Sequence, residues 1–301
     1  LGKLSIEDKV KYILMYNGQQ LSIMCELTAY MFFKRWYAIL RCGVPNFVGK
    51  YDIKDTGFDT IYFPTNSIYK LEGCLVPRKG YADTGVMLTK FLCGMLPNVL
   101  YYIDPNLVYV GSIIDYSLVG GAEAYEQEYK DSDIDIMYYG GHTTIELESI
   151  VMKIYNSIKD PNLIIVKTAL PRDGTYKYKI IGGERNIEVF NSDIKTIVGY
   201  HVPSVRGYIG DVAHYSYSLI SLIMTGISQD YRQGPMGIEI IYKYMRRGHA
   251  FIINEHRKGD LEGMGAKLVK VEYDNHNSII DQKTGYIIDP IEFAKSIYKS
   301  S

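Results

Sequence analysis

Apolar residues return every three or four positions through 4–40, first as Val10, Ile13 and Leu14 and then as Ile23, Leu27, Met31, Trp36 and Leu40. That spacing predicts two helices, broken near Asn17 and Gly18. Ser5 with Asp8 three positions on has the form of a capping box, with Asp where Glu or Gln is usual. Between 43 and 80 the pattern is cut by Pro45, Gly49, Gly57, Pro64, Gly73 and Pro77, which predicts loops and short strands, the best of them at 60–63. A helix is predicted over 83–96. Extended segments follow at 99–103 and 107–110, divided by the turn Asp104-Pro105-Asn106, and the second ends in Gly111-Ser112 before a short helix at 113–118.

The next stretch alternates between periods. A strand at 133–139, a helix at 146–158, a strand at 163–168 and a hairpin of 177–181 with 186–190, turned by Gly182-Gly183, make a mixed sheet. Helical periodicity resumes through 212–228 and 236–255, before 267–273, 286–288 and a closing helix at 291–300. The expected fold class is α+β, a mixed α/β core with flanking helical segments. The expected division is a helical and irregular region over 1–98, the core over 99–200 and a mostly helical region over 201–301. There is no internal repeat and no low-complexity tract.

Composition narrows the partners. With 301 residues, 47% apolar and 22% charged, the chain has the make-up of an ordinary folded protein. Its 33 Lys+Arg against 34 Asp+Glu give a net charge of −1, so contact with a nucleic acid must rest on a local basic patch or on a partner chain. Among 29 Tyr, stacking on bases is the rarer use and packing the commoner one. The four cysteines, Cys25, Cys42, Cys74 and Cys93, form no C-x-x-C pair and have no His at zinc-ligand spacing, so reduced thiols in a reducing compartment are expected. The longest apolar stretches, such as 220–224, fall far short of the ~18–20 residues of a membrane span. Lys3, Glu7, Asp8, Lys9 and Lys11 are not the opening of a secretory signal.

The chemistry is concentrated between 107 and 190. In a strand, residues two apart share a face, so Asp133 and Asp135 present two carboxylates side by side while Ile134 and Ile136 turn to the core. Two adjacent carboxylates repel unless a cation lies between them, and Mg²⁺, a hard ion that takes oxygen ligands, suits that place. A third carboxylate is needed if two ions are to serve in-line phosphoryl transfer. Glu188, the lone acid of an apolar strand whose Ile187 and Val189 face the core, supplies it if the two strands are neighbours. Gly111-Ser112, at the end of one strand and the start of a helix, lets backbone N–H groups and a hydroxyl approach a triphosphate. A lone D-x-D or a lone Gly-Ser turn says little; their order along the chain carries the reading.

That order resembles the nucleotidyltransferases of the DNA-polymerase-β type, through Gly111, Ser112, Asp133, Asp135 and Glu188. The resemblance covers about 107–190 and departs from the family pattern in two ways. The interval from Ser112 to Asp133 is long and acidic (Glu123, Glu126, Glu128, Asp131), and the third acid is Glu where Asp is usual. Membership implies metal-dependent attack of a hydroxyl on the α-phosphate of a nucleoside triphosphate, with Asp133, Asp135 and Glu188 as catalytic metal ligands for two Mg²⁺ or Mn²⁺ ions.

The arrangement further along is similar, loosely, to poly(A) polymerase catalytic subunits of large DNA viruses. That likeness implies ATP as substrate, an RNA 3′ end as acceptor and a viral mRNA-processing role in the cytoplasm, a viral factory or the virion. Lys243, Arg246 and Arg247, within about one helical turn, form the best basic cluster for nucleotide and strand contacts, with Tyr242 and Tyr244 beside them for stacking. His214 reads as a core histidine, and Arg206 is open. A nearly neutral protein extending a polyanion needs help, so a homodimer or a processivity partner is expected. The competing readings are transfer to another acceptor (tRNA, a small molecule or a protein) and an inactive fold kept as a structural component of a virion or replication complex.

Overall fold

The computed structural model describes residues 67–74, 84–119, 124–141, 143–158, 160–169, 176–211, 213–216, 219, 222, 227–228, 237–253, 255–273, 279–281 and 287–288. The helices expected within 4–40, the strand at 60–63 and the helix at 291–300 lie outside the described residues. The chain is α+β, as its sequence predicts.

After β1 (Ser67–Leu71) and α1 (Thr84–Leu92), the segment expected to be extended at 99–103 is instead a 3₁₀ turn, Leu100–Tyr102. Leu100 O accepts from both Ile103 N–H and Asp104 N–H, at 2.8 and 3.1 Å, so the turn closes on itself around one buried leucine. β2 (Leu107–Val110) is buried at every position, which is why it reads as an unbroken apolar run. It leads into α2 (Ser112–Ile114), which continues as one π-helical stretch over Asp115–Val119.

β3 (Ile134–Tyr138) is followed by α3 (Thr144–Ser157), whose first turn is fixed by a capping box. Thr143 Oγ1 accepts from Glu146 N–H, and the Glu146 carboxylate accepts from Thr143 N–H. Leu147, Ile150, Val151 and Ile154 give α3 its buried stripe. β4 (Ile164–Ala169), β5 (Tyr176–Ile181) and β6 (Ile187–Asn191) follow, then a 3₁₀ turn at Ile194–Gly199.

Two of the helices expected downstream are shorter than predicted and share their ranges with strands, Leu219 and Leu222 being helical within the first. Within 212–228 lie β8 (Ala213–Tyr215), antiparallel to β7 (Gly207–Ile209), and β9 (Ile227–Ser228). Within 236–255, α4 (Gly237–Arg246) stops short. Gly248 takes φ +86°, β10 (Ala250–Ile253) follows, and α5 (Glu255–Gly263) starts anew. β11 (Leu268–Tyr273), β12 (Ile279–Asp281) and β13 (Ile287–Ile288) complete the described residues. Apolar periodicity there is satisfied partly by sheet neighbours and partly by helix packing.

The strands form two sheets. One has the order β13-β12-β11-β1-β10-β9; the other, β4-β5-β6-β3-β2-β7-β8, carries the acids and runs past the boundary expected at 200. β3 pairs in parallel with β6, and every other neighbour in this second sheet is antiparallel. Ile134, Ile136, Ile187 and Val189 point into the main core with α1 and α3. The opposite face carries a smaller cluster of Val108, Val110, Met137, Ile197 and Tyr208, with Phe190 and Tyr200 packed against it. No helix among the described residues is long and apolar enough to cross a membrane.

Candidate active site

Sheet register assembles the acids. Parallel pairing of β3 with β6 sets Glu188 directly across from Asp135, and antiparallel pairing of β5 with β6 sets Lys179 across from Glu188. Because Ile134, Ile136, Ile187 and Val189 take the core face, Asp135 and Glu188 share the other one. Asp133 lies one step before β3, where Asn186 Nδ2 donates to its Oδ1 at 3.3 Å. The three carboxylates thus converge as the spacing predicts.

Gly111 comes against this row from β2. Val110 pairs with Asp135, and Gly111 then turns with φ +75° and ψ −143°. A Cβ at this position would stand 2.1 Å from Asp135 Oδ2 and 3.0 Å from its Cγ. Backbone and carboxylate can therefore approach this closely only because the residue is glycine. Beside them is a cavity of about 320 Å³, lined among others by Ser112, Asp135, Phe190, Tyr200 and Lys243.

The acids are not electrostatically equivalent. Lys177 Nζ lies 2.6 Å from Glu188 Oε2, while Lys179 Nζ bridges Glu188 and Asp133, at 3.3 Å from the latter. Burial alone would raise the Glu188 carboxyl, but the hydrogen bonds from the two lysines outweigh it and hold the group below the usual range. The Asp135 carboxylate has no hydrogen bond or ion pair among the described residues. Burial, then the charges of Glu188 and Asp133, push its carboxyl up to about 7. Lys243, half-buried at the cavity, is lowered by burial and by Arg247.

Among the described residues no group of three or more His, Cys, Asp or Glu side chains is placed to hold a metal ion. At Asp133 and Glu188 the carboxylates are paired with lysines. Asp135 is different: an all-oxygen donor, half-buried beside like charge and without an ion pair, it has the chemistry that suits one hard divalent ion.

The raised carboxyl fixes a sign. Between the ordinary 3.8 and about 7 the folded chain holds more protons at Asp135 than the unfolded chain does. Its contribution to stability therefore falls as pH rises through that window and stays low above it. In chelator, Asp135→Asn is expected to raise the melting temperature over wild type by an amount near nil at about pH 4 and largest at about pH 8. A gain that does not change with pH would remove this account of the site.

The expected basic cluster does not form one open face. Lys243 reaches the cavity, whereas Arg246 leaves toward an exposed pair with Glu128 at 3.3 Å. Arg247, one residue past the end of α4, turns inward and is fully buried. It donates to Ser112 Oγ at 3.1 Å, to Ser132 Oγ at 2.7 Å and to Glu128 O at 2.9 Å. Its guanidinium stacks 4.0 Å from the Tyr129 ring centre. Asp115 faces it at 4.0 Å and also accepts from Tyr129 Oη at 2.7 Å and meets His249 Nε2 at 2.8 Å. Ser112 is thus gripped from behind by Arg247 and Tyr244, the latter at 3.4 Å and itself part of the cavity lining.

Arg185 is a contributor that sequence reading misses. Its Nη1 donates to the carbonyls of Tyr129 and Ser132, the latter at 2.8 Å, and the guanidinium lies 4.3 Å from the Phe91 ring centre. Two arginines therefore clamp the turn that delivers Asp133. Its place just ahead of the strand bearing Glu188 is the only signal, and it becomes meaningful once β6 is known to lie beside β3. His214 is buried and stacked on Tyr208 with ring centres 4.0 Å apart, matching its core reading, and Arg206 Nε donates to Tyr200 O at 2.8 Å. Comparison with protein-family models, with curated proteins and with solved structures finds no match to this chain.

Proposed function

We propose that this chain is a divalent-cation-dependent nucleotidyltransferase that joins the α-phosphate of ATP to the 3′-hydroxyl of an RNA and releases pyrophosphate. One observation carries the reading: the backbone of Gly111 is held against Asp135, which stands in register with Glu188 at the edge of a cavity. That arrangement supports a phosphate-bearing substrate brought to a strand-borne acid pair. Asp135 is the residue that would hold the ion, with Glu188 and Asp133 beside it; a divalent ion there supplies charge neutralisation at the transferring phosphoryl group. Lys243, at the same cavity, supplies fixed positive charge for the phosphates. Ser112, locked by Arg247 and Tyr244, gives the turn a single geometry. Catalysis in this reading rests on positioning and charge.

Free thiols at Cys74 and Cys93 support a reducing compartment, the cytoplasm or a viral factory within it. A second acceptor class gains weight from the basic cluster. With Arg247 turned inward and Arg246 paired to Glu128, neither arginine adds to an open basic face for a long polyanion, which favours a partner chain or a smaller acceptor.

The test is incubation with Mg²⁺ or Mn²⁺, an oligo(A)-ended RNA and each nucleoside triphosphate in turn, beside an Asp133→Ala/Asp135→Ala control. Extension with ATP, lost in the control, is the expected result. Nucleotide binding without extension points to another acceptor. The absence of both nucleotide binding and extension would overturn the enzyme reading in favour of a structural role.

A further inference from the structure

The carboxylate row contains its own cations. Register sets Lys179 opposite Glu188 on the face that also bears Asp135, and two residues away on the same strand Lys177 reaches the same carboxylate. Lys179 spans Glu188 and Asp133, the two acids that flank Asp135. Of the two ammonium groups, Lys177 meets Glu188 and Lys179 meets both Glu188 and Asp133. The Asp135 carboxylate has no ion pair among the described residues, the nearest cations acting on it through space alone.

We propose that Lys179, seconded by Lys177, stands in the place of one cation of the centre, so that the site takes up one divalent ion, at Asp135, instead of two. The inference rests on the nucleotidyltransferase reading above and deepens it. A lysine ammonium is a compact unit charge with three donors, so it can bridge two carboxylates much as an ion would. It has no vacant coordination position, so it neutralises without acting as a Lewis acid. A single divalent ion held at Asp135 would then supply the Lewis-acid chemistry, and metal dependence would be first order. The lysines are part of the sheet itself, placed by the β5–β6 hairpin, so this charge is present before any nucleotide arrives.

The deciding measurement is a Mn²⁺ titration followed by electron paramagnetic resonance, with a non-hydrolysable ATP analogue at saturation and bound nucleotide counted in parallel. Wild type is expected to hold one Mn²⁺ per bound nucleotide, and Lys177→Gln/Lys179→Gln a second. Two ions in wild type would overturn the proposal while leaving the nucleotidyltransferase reading intact. One ion in both proteins would also overturn it, since removing the amines would then have opened nothing. No Mn²⁺ in either, with or without nucleotide, would overturn the metal-dependent reading and this inference with it. Both lysines are partly exposed, with side chains 26% and 34% accessible, which favours a folded variant. If the double variant does not fold, the wild-type count alone decides between one ion and two.

Discussion

Gly111→Ala is expected to abolish nucleotidyl transfer and to lower stability together, a pairing that most active-site substitutions do not produce. The backbone there sits at φ +75°, ψ −143°, a conformation that an alanine adopts only at a cost of about 1–3 kcal/mol. Conformation is the smaller part of the effect. The new methyl would lie 2.1 Å from Asp135 Oδ2, which only a turn of that side chain away from its place clears, and 3.2 Å from its Cβ, which asks for a further shift of a few tenths of an ångström. Either the Asp135 side chain leaves its place beside Glu188 or β2 and β3 separate at their Val110–Asp135 pair. Each outcome removes the acid from the cavity. Thermal melting in chelator, set beside an ATP-extension assay, reads both effects. Full activity in a protein of unchanged melting temperature would mean that the Gly111–Asp135 approach is not part of the working site.

Arg247→Met is expected to be strongly destabilising, costing about 3–5 kcal/mol, because it deletes one partner of a buried charged network. The guanidinium is fully buried and serves two serine hydroxyls and one main-chain carbonyl, while Asp115 stands across from it. Methionine fills much of the volume and leaves all those acceptors without their donor. Arg247→Lys should recover little, since one ammonium cannot reach Ser112, Ser132 and Glu128 O from the directions that a planar fork does. Urea denaturation of the three proteins measures this directly. A lysine variant as stable as wild type would show that the charge matters and the fork does not. Any nucleotide affinity that survives in the methionine variant should also fall, as Ser112 loses its fixed orientation.

The site was more legible in the sequence than the architecture around it, and the reason lies in the range of the forces involved. Alternation along a single strand decides which way Asp135 and Glu188 point, and that is local information. Whether β6 lies beside β3 is not local, yet the lone acid in 187–190 suggested it, because an uncompensated carboxylate on a sheet face needs company of some kind. Arg247 was misread for the opposite reason. Three cations within a helical turn look like one basic face, but the helix ends at Arg246, and the next residue is spent on burying a network whose members, Asp115, Ser132 and Glu128, are remote in the sequence. The strands β8, β9 and β10 were read as helix because their apolar spacing fits either period over so few residues. Sheet partners contributed by distant segments decided the matter.

Parallel pairing of β3 with β6 also sets an order of events during folding. Two parallel neighbours cannot be joined by a tight turn, so the chain must lay down α3, β4 and β5 between them before Asp135 and Glu188 can meet. Local elements such as the capped helix and the β4–β5 hairpin close early and cheaply, whereas this contact waits on the longer excursion. The carboxylate cluster is then among the last features to form. A nascent or partly unfolded chain would carry the acids on separate strands, and cation or nucleotide binding would serve as a report on completion of the sheet.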